Sequence, residues 1–240
     1  MLEKDINKFY ELIEKLKIKC REQFQVPQWC DLTLCMIDGR HAYWKNCRKG
    51  LYLFFDNQEK RSDGKTHRIV RIGTHAVKRA EGKSTLWRRL KQHKGNDKND
   101  GGNHRGSIFR LLVGEALINR DSNGPASWGM GSNASKETRQ QEMKHEVKVS
   151  KYIRELPFLI IRIDDSIDRK SLESSLIALI SNIGRRAAEP PCPDEPSKDW
   201  LGRHSCRPLV RNSGLWNNQG VLGTYDPKLI ETLNHYVGGM

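Results

Sequence analysis

The stretch "KGLYLFFD" (Lys49–Asp56) is followed, after a polar segment, by "HRIVRIGTHAV" (His67–Val77). Each holds an apolar run of strand length, and "NQEKRSDGK" between them carries the turn pair Asp63-Gly64. The two read as a β-hairpin with strands over Leu51–Phe55 and Arg68–Ile72. One tyrosine, Tyr52, stands among the aliphatics of the first strand. It either packs in a core or is aimed at a ligand, and the rest of the chain has to decide which.

Working outward, residues 1–24 read as a helix with Ile6, Tyr10, Ile13 and Leu16 along one face. "STLWRRLKQH" is a helix with Ser84 as its N-cap. "KGNDKNDGGNHRGS" has no apolar side chain and reads as a mobile loop, and "IFRLLVGEALI" as a second short helix. A charged helix spans Lys136 to Leu156 and is stopped by Pro157. "FLIIRI" at 158–163 is a buried strand, and "DRKSLESSLIALISNIG" a helix closed by Gly184. A Pro-rich irregular segment follows, and the last helix covers Lys228–Tyr236. This order predicts an α+β fold, a small sheet with helices on its faces.

The chain has 240 residues, and 42 Lys+Arg against 29 Asp+Glu give a net charge of +13. Such an excess favours a polyanionic partner, nucleic acid above all, over a membrane surface. No apolar run is long enough to cross a bilayer. The N-terminal stretch mixes acids with lysines, unlike a signal peptide, so a cytoplasmic protein is expected. Its six cysteines (20, 30, 35, 47, 192 and 206) then read as reduced thiols. Cys192, His204 and Cys206 would hold zinc only in an unusual arrangement.

The helix after the third strand is the most informative. Leu172, Leu176, Leu179, Ile180 and Ile183 form its buried stripe, and Glu173 falls at the stripe's edge. An ionised carboxylate there needs an Arg, a Lys or a divalent metal, unless it snorkels to water. In "STLWRRLKQH", Arg89 and His93 lie four apart on the flank of the Leu86/Leu90 face and point toward one cleft; Arg88 points elsewhere. A carboxylate, a guanidinium, an imidazole and a phenol make a coherent set for phosphodiester cleavage.

With "GLY" at Gly50–Tyr52, "RIG" at Arg71–Gly73, "RRLKQH" and the Glu173 helix in this order, the sequence resembles the GIY-YIG nucleases over about residues 49–184. The resemblance implies a three-stranded antiparallel sheet flanked by helices. Around it lie an N-terminal helical extension (1–48), an insertion at about 120–156 and a C-terminal extension (185–240). It implies hydrolysis of DNA with one Mg²⁺ or Mn²⁺ on Glu173, Arg89 as the catalytic arginine, His93 beside it, and Tyr52 acting on the attacking water. The second signature departs from the family pattern, with Arg71 in place of its tyrosine. Arginine cannot serve as a base at neutral pH, so Arg71 would hold a phosphate and His75 would take over proton transfer. The family asparagine falls to Asn217 in preference to Asn182.

Double-stranded DNA is the expected partner. Arg71, Arg88, Lys136, Arg139, Lys144, Lys148, Arg207 and Arg211 are the candidate contacts, although the acids on the 136–156 helix equally suit a solvated face. Cutting both strands calls for two active sites, as in a homodimer, or for sequential nicks. Restriction or host defence is the expected use. The alternative is a nucleic-acid-binding module that has kept a nuclease scaffold and lost catalysis.

Overall fold

The computed structural model describes residues 2–75, 84–183 and 194–240. Three strands form one antiparallel sheet in the order β2-β1-β3: β1 (Gly50–Lys60), β2 (His67–Gly73) and β3 (Phe158–Arg162). Tyr52 lies at the sheet's centre, opposite Gly73 on one side and Ile160 on the other. Residues 50–56 are buried without interruption, which explains why the run is apolar throughout instead of alternating. β1 runs on to Lys60, beyond the expected Phe55. The polar end of the strand is held by the buried Glu59–Arg68 pair at 3.2 Å. In the turn, Asp63 Oδ1 accepts the N–H groups of Lys65 and Thr66 at 2.8 Å each.

One face of the sheet presents Tyr52 and Phe54 to His93 of α3 (Leu86–Lys94) and Phe109 of α4 (Ile108–Asp121). Side chains of alternate parity meet α1 (Leu2–Phe24), whose Lys17 ammonium sits 5.5 Å from the Phe55 ring. A short α2 spans Tyr43–Asn46. The charged α5 (Lys136–Glu155) packs on α3 and α4, and α6 (Ser166–Ile180) packs on β1 and β2. Two further helices, α7 (Pro208–Ser213) and α8 (Leu229–Gly238), complete the fold; α8 rests on α1 and α6. α7 has no strong apolar period, and the sequence did not mark it.

Several boundaries differ from expectation. Thr85, not Ser84, caps α3, with its hydroxyl oxygen accepting from Arg88 N at 3.2 Å. α6 ends at Ile180, so Ile183 is off its stripe; Ser181 Oγ donates to the Val221 carbonyl and Asn182 N to that of Ser213, drawing the chain away. The expected closure at Gly184 and Cys192 fall outside the described residues. The segment after α3, expected to be mobile, is instead folded back on α5. Arg154 donates to Asp100 at 2.6 Å, Ser150 Oγ to the Gly101 carbonyl, and Lys94 pairs with Asp97. Polar composition here marks ion pairs and side chain-to-backbone bonds, not freedom.

Among the described residues no helix is long and apolar enough to cross a membrane, and no three His, Cys, Asp or Glu side chains gather as a metal cluster.

Candidate active site

A cleft of about 570 Å³ opens at the ends of β1 and β2, beside α6. Tyr52, Arg71, His75, Arg89, Glu173 and Asn217 all line it. They come from β1, β2 and its exit, α3, α6 and the segment after α7, so the fold gathers side chains spread over some 165 positions of sequence.

Tyr52 forms the floor. Its hydroxyl is 2.9 Å from His93 Nε2, and His93 Nδ1 is 2.7 Å from Ser107 Oγ. Ser107 caps α4, its oxygen accepting from Arg110 N at 3.3 Å. The chain Tyr52–His93–Ser107 is therefore a continuous hydrogen-bonded path anchored on a helix end. His93 does not line the cleft with Arg89, as its place on the helix flank suggested. It is fully buried behind the phenol. Burial, with Arg89, Arg71 and Arg110 nearby, pushes its pKa well below the usual imidazole range, so the ring is neutral at pH 7.

The signature glycines have a steric cause. A Cβ on Gly73 would collide with the Tyr52 hydroxyl and ring, and one on Gly50 with the Ile161 carbonyl of β3. The phenol lies across Gly73 only because that residue has no side chain.

Glu173 is half-buried on α6, and its Oε1 accepts from Thr74 N at 3.1 Å. Burial raises its pKa; Arg71, the Thr74 N–H, Arg89 and Arg169 pull it back. Among the described residues its second oxygen has no protein partner, and it is the only carboxylate lining the cleft. One half-buried carboxylate with a free oxygen fits Mg²⁺, which keeps most of its waters and uses one or two carboxylates.

Arg89 donates to Gln92 Oε1 at 3.0 Å and to the Gly106 carbonyl at 3.2 Å at the cleft wall. Arg71 is buried, with its guanidinium 4.9 Å from the Phe109 ring and Nη1 donating to the Trp216 carbonyl. His75 Nδ1 is buried without a partner among the described residues, and burial, Arg169, Lys49 and Arg89 bring its pKa down to about 4. Asn217 straps β2: its Oδ1 accepts from Ile72 N at 3.2 Å and its Nδ2 donates to Ile72 O at 2.8 Å. With Trp216 N donating to the Val70 carbonyl at 2.7 Å, it supplies the outer rung of the edge strand. Asn182, the other candidate, lies outside the cleft, its amide donating to the Asp194 carbonyl.

The sequence profile of the GIY-YIG domain matches residues 1–240. The chain belongs to the GIY-YIG family. No curated protein and no solved structure matches it. GIY-YIG domains are nuclease domains, so a nucleic acid is the class of substrate implied.

Of the basic residues outside the cleft, Arg88, Lys136, Arg139 and Lys144 are exposed, and Lys148 reaches Asp121 at 3.4 Å. Arg207 is engaged elsewhere, Nε and Nη2 each donating to Glu115 at 2.8 Å, and Arg211 donates to the Ser205 carbonyl. None of these lines the cleft of this GIY-YIG domain. Sequence reading overlooked Lys170, Asn218 and Gln219, which do. Lys170 was within reach, being one turn before Glu173 on the same helix. The amides carried no local signal.

Proposed function

We propose that this chain is a divalent-metal-dependent endonuclease that hydrolyses phosphodiester bonds of double-stranded DNA. The observation that carries this reading is the convergence of Tyr52, Arg89 and Glu173 on one cleft. Among the described residues three cations, Arg71, Arg89 and Lys170, face it against the one acid Glu173, a balance that suits a phosphate.

Glu173 is the residue that would hold Mg²⁺ or Mn²⁺. When bound, the cation supplies charge stabilisation at the phosphoryl oxygens and leaving group. Arg89 stabilises the charge that grows on the phosphorus substituents. Tyr52 orients the attacking water. In the tautomer with hydrogen on His93 Nδ1, that N–H donates to Ser107 Oγ and Nε2 accepts a hydrogen bond from the phenol. The Tyr52 oxygen is then free to accept a hydrogen bond from the attacking water. His93, whose charged form burial and three arginines disfavour, fixes the phenol without taking its proton, and the water's proton goes to the cleft-facing His75. Arg71 holds a phosphate, and Asn217 keeps β2 in register with Tyr52.

The test is plasmid and genomic DNA incubated with Mg²⁺, Mn²⁺ or EDTA, beside Glu173→Ala and Glu173→Gln proteins of verified fold. Cutting that needs metal and is lost in both variants supports the reading. Discrete fragments favour restriction-type defence as the use, and a smear argues against it.

Arg71 favours a second reading, a binding module without catalysis, because its guanidinium is bonded to Trp216 and stacked on Phe109 where the family has a phenol. Gel retardation without cutting under every metal condition is its signature.

A further inference from the structure

We infer that the arch Asn217–Val221 reads sequence: the side-chain amides of Asn218 and Gln219 contact base edges in the DNA groove beside the phosphate held in the cleft, with adenine as the base they match. This rests on the nuclease reading above and extends it to the determinant of where the chain cuts.

The arch is fixed at both ends. Asn217 exchanges two hydrogen bonds with Ile72, and the buried Val221 accepts from Ser181 Oγ at 2.8 Å. Gly220, at φ +82°, lies against α6, where a Cβ would stand 3.2 Å from Ile177 Cγ2. A side chain there would strain the backbone and crowd Ile177. Between these anchors Asn218 and Gln219 line the cleft, and their amides have no partner among the described residues. The fold thus holds two solvent-accessible amides, unpaired among the described residues, on a braced support beside Arg71, Arg89 and Lys170. Those cations already supply the sequence-independent attraction to phosphate. A primary amide adds little charge compensation, but it offers a donor and an acceptor side by side, which is the complement of the N6/N7 edge of adenine in the major groove. Rigidity matters here, because a floppy amide would lose in ordering entropy what it gains in discrimination.

The experiment is cleavage of a randomised duplex library with sequencing of the cut ends, for the wild type, Asn218→Ala, Gln219→Ala and the double variant, each checked by thermal melting. Both side chains are outside the core, so the variants should melt with the wild type. Wild-type cuts should carry a base bias, rich in adenine, within about two base pairs of the scissile bond. Each alanine should flatten the bias at one position and slow cutting of the preferred sequence about tenfold to a hundredfold. Unchanged bias in the double variant, or an even fall in cutting across all sequences, overturns the inference and leaves the nuclease reading intact. A wild type that cuts nothing overturns the nuclease reading instead. The same library is then selected by retention on the protein, and base reading stands only if the bound pool is biased in the wild type and flat in the double variant.

Discussion

The Tyr52 hydroxyl touches His93 on one side and faces the cleft on the other, so Tyr52→Phe separates chemistry from packing. Losing one buried hydrogen bond should cost about 1 kcal/mol of stability. Losing the group that orients the attacking water should lower the cleavage rate about 10²- to 10⁴-fold. Urea melts and single-turnover cleavage on one preparation measure both. His75 offers a pH test. Burial, with Arg169, Lys49 and Arg89, brings its pKa down to about 4. Between pH 4 and the ordinary imidazole range the unfolded chain binds a proton that the folded chain refuses. Unfolding free energy therefore rises with pH across that window and levels off above about 6.5. His93 and His145, also lowered chiefly by burial, act in the same direction. His75→Gln should remove about 2 kcal/mol of the difference between about pH 7 and pH 4, after allowance for screening. Denaturation midpoints with an unchanged pH slope would contradict this.

The helices around the site are cross-braced by a buried ion pair. Arg110 of α4 meets Glu146 of α5 through Nε at 2.9 Å and Nη2 at 2.5 Å, and its Nη1 donates at 2.9 Å to the His93 carbonyl that ends the α3 turn behind Tyr52. Removing Arg110 leaves the buried Glu146 carboxylate with only His104 as its partner. Arg110→Ala should therefore cost about 3–5 kcal/mol, and the Arg110→Ala/Glu146→Ala double variant much less than the sum of the singles. Equilibrium denaturation gives the cycle. Glu142 and Glu146 also show what the sequence conveyed and what it hid. On α5 they read as ordinary acids of a mixed-charge helix, yet both are buried, because Arg105 and Arg110 come to them from distant segments. The strand "GLYLFF" and the Leu172–Ile180 stripe were plain in the sequence because burial there is local and periodic. The extension of β1 past Phe55 was hidden, because Glu59 looks like a solvated acid and is instead buried against Arg68. Tyr52, Arg89 and Glu173 were found through order and spacing. The arch that completes the cleft was not, since only the three-dimensional path brings Asn218 and Gln219 to Glu173.

Charge acts over the protein as a unit. With a net +13, binding to duplex DNA should weaken steeply with salt. If about six or more phosphates are neutralised, affinity should fall about a thousandfold between roughly 50 and 200 mM salt. Lys144→Ala and Lys148→Ala should each lower the slope of log affinity against log salt by about one if α5 lies on the backbone, and leave it unchanged if that face is merely solvated. Fluorescence anisotropy with a labelled duplex measures this. The outer rung of β2 has a further consequence in time. Trp216 and Asn217 reach β2 from 145 positions downstream, so the chain must be made past residue 217 before Ile72 is clasped. Until then β2 offers an open edge that another nascent copy can pair with. Termination before Trp216 should thus yield a product that self-associates through β2, so the order of synthesis delays closure of the cleft until the clasp has been made.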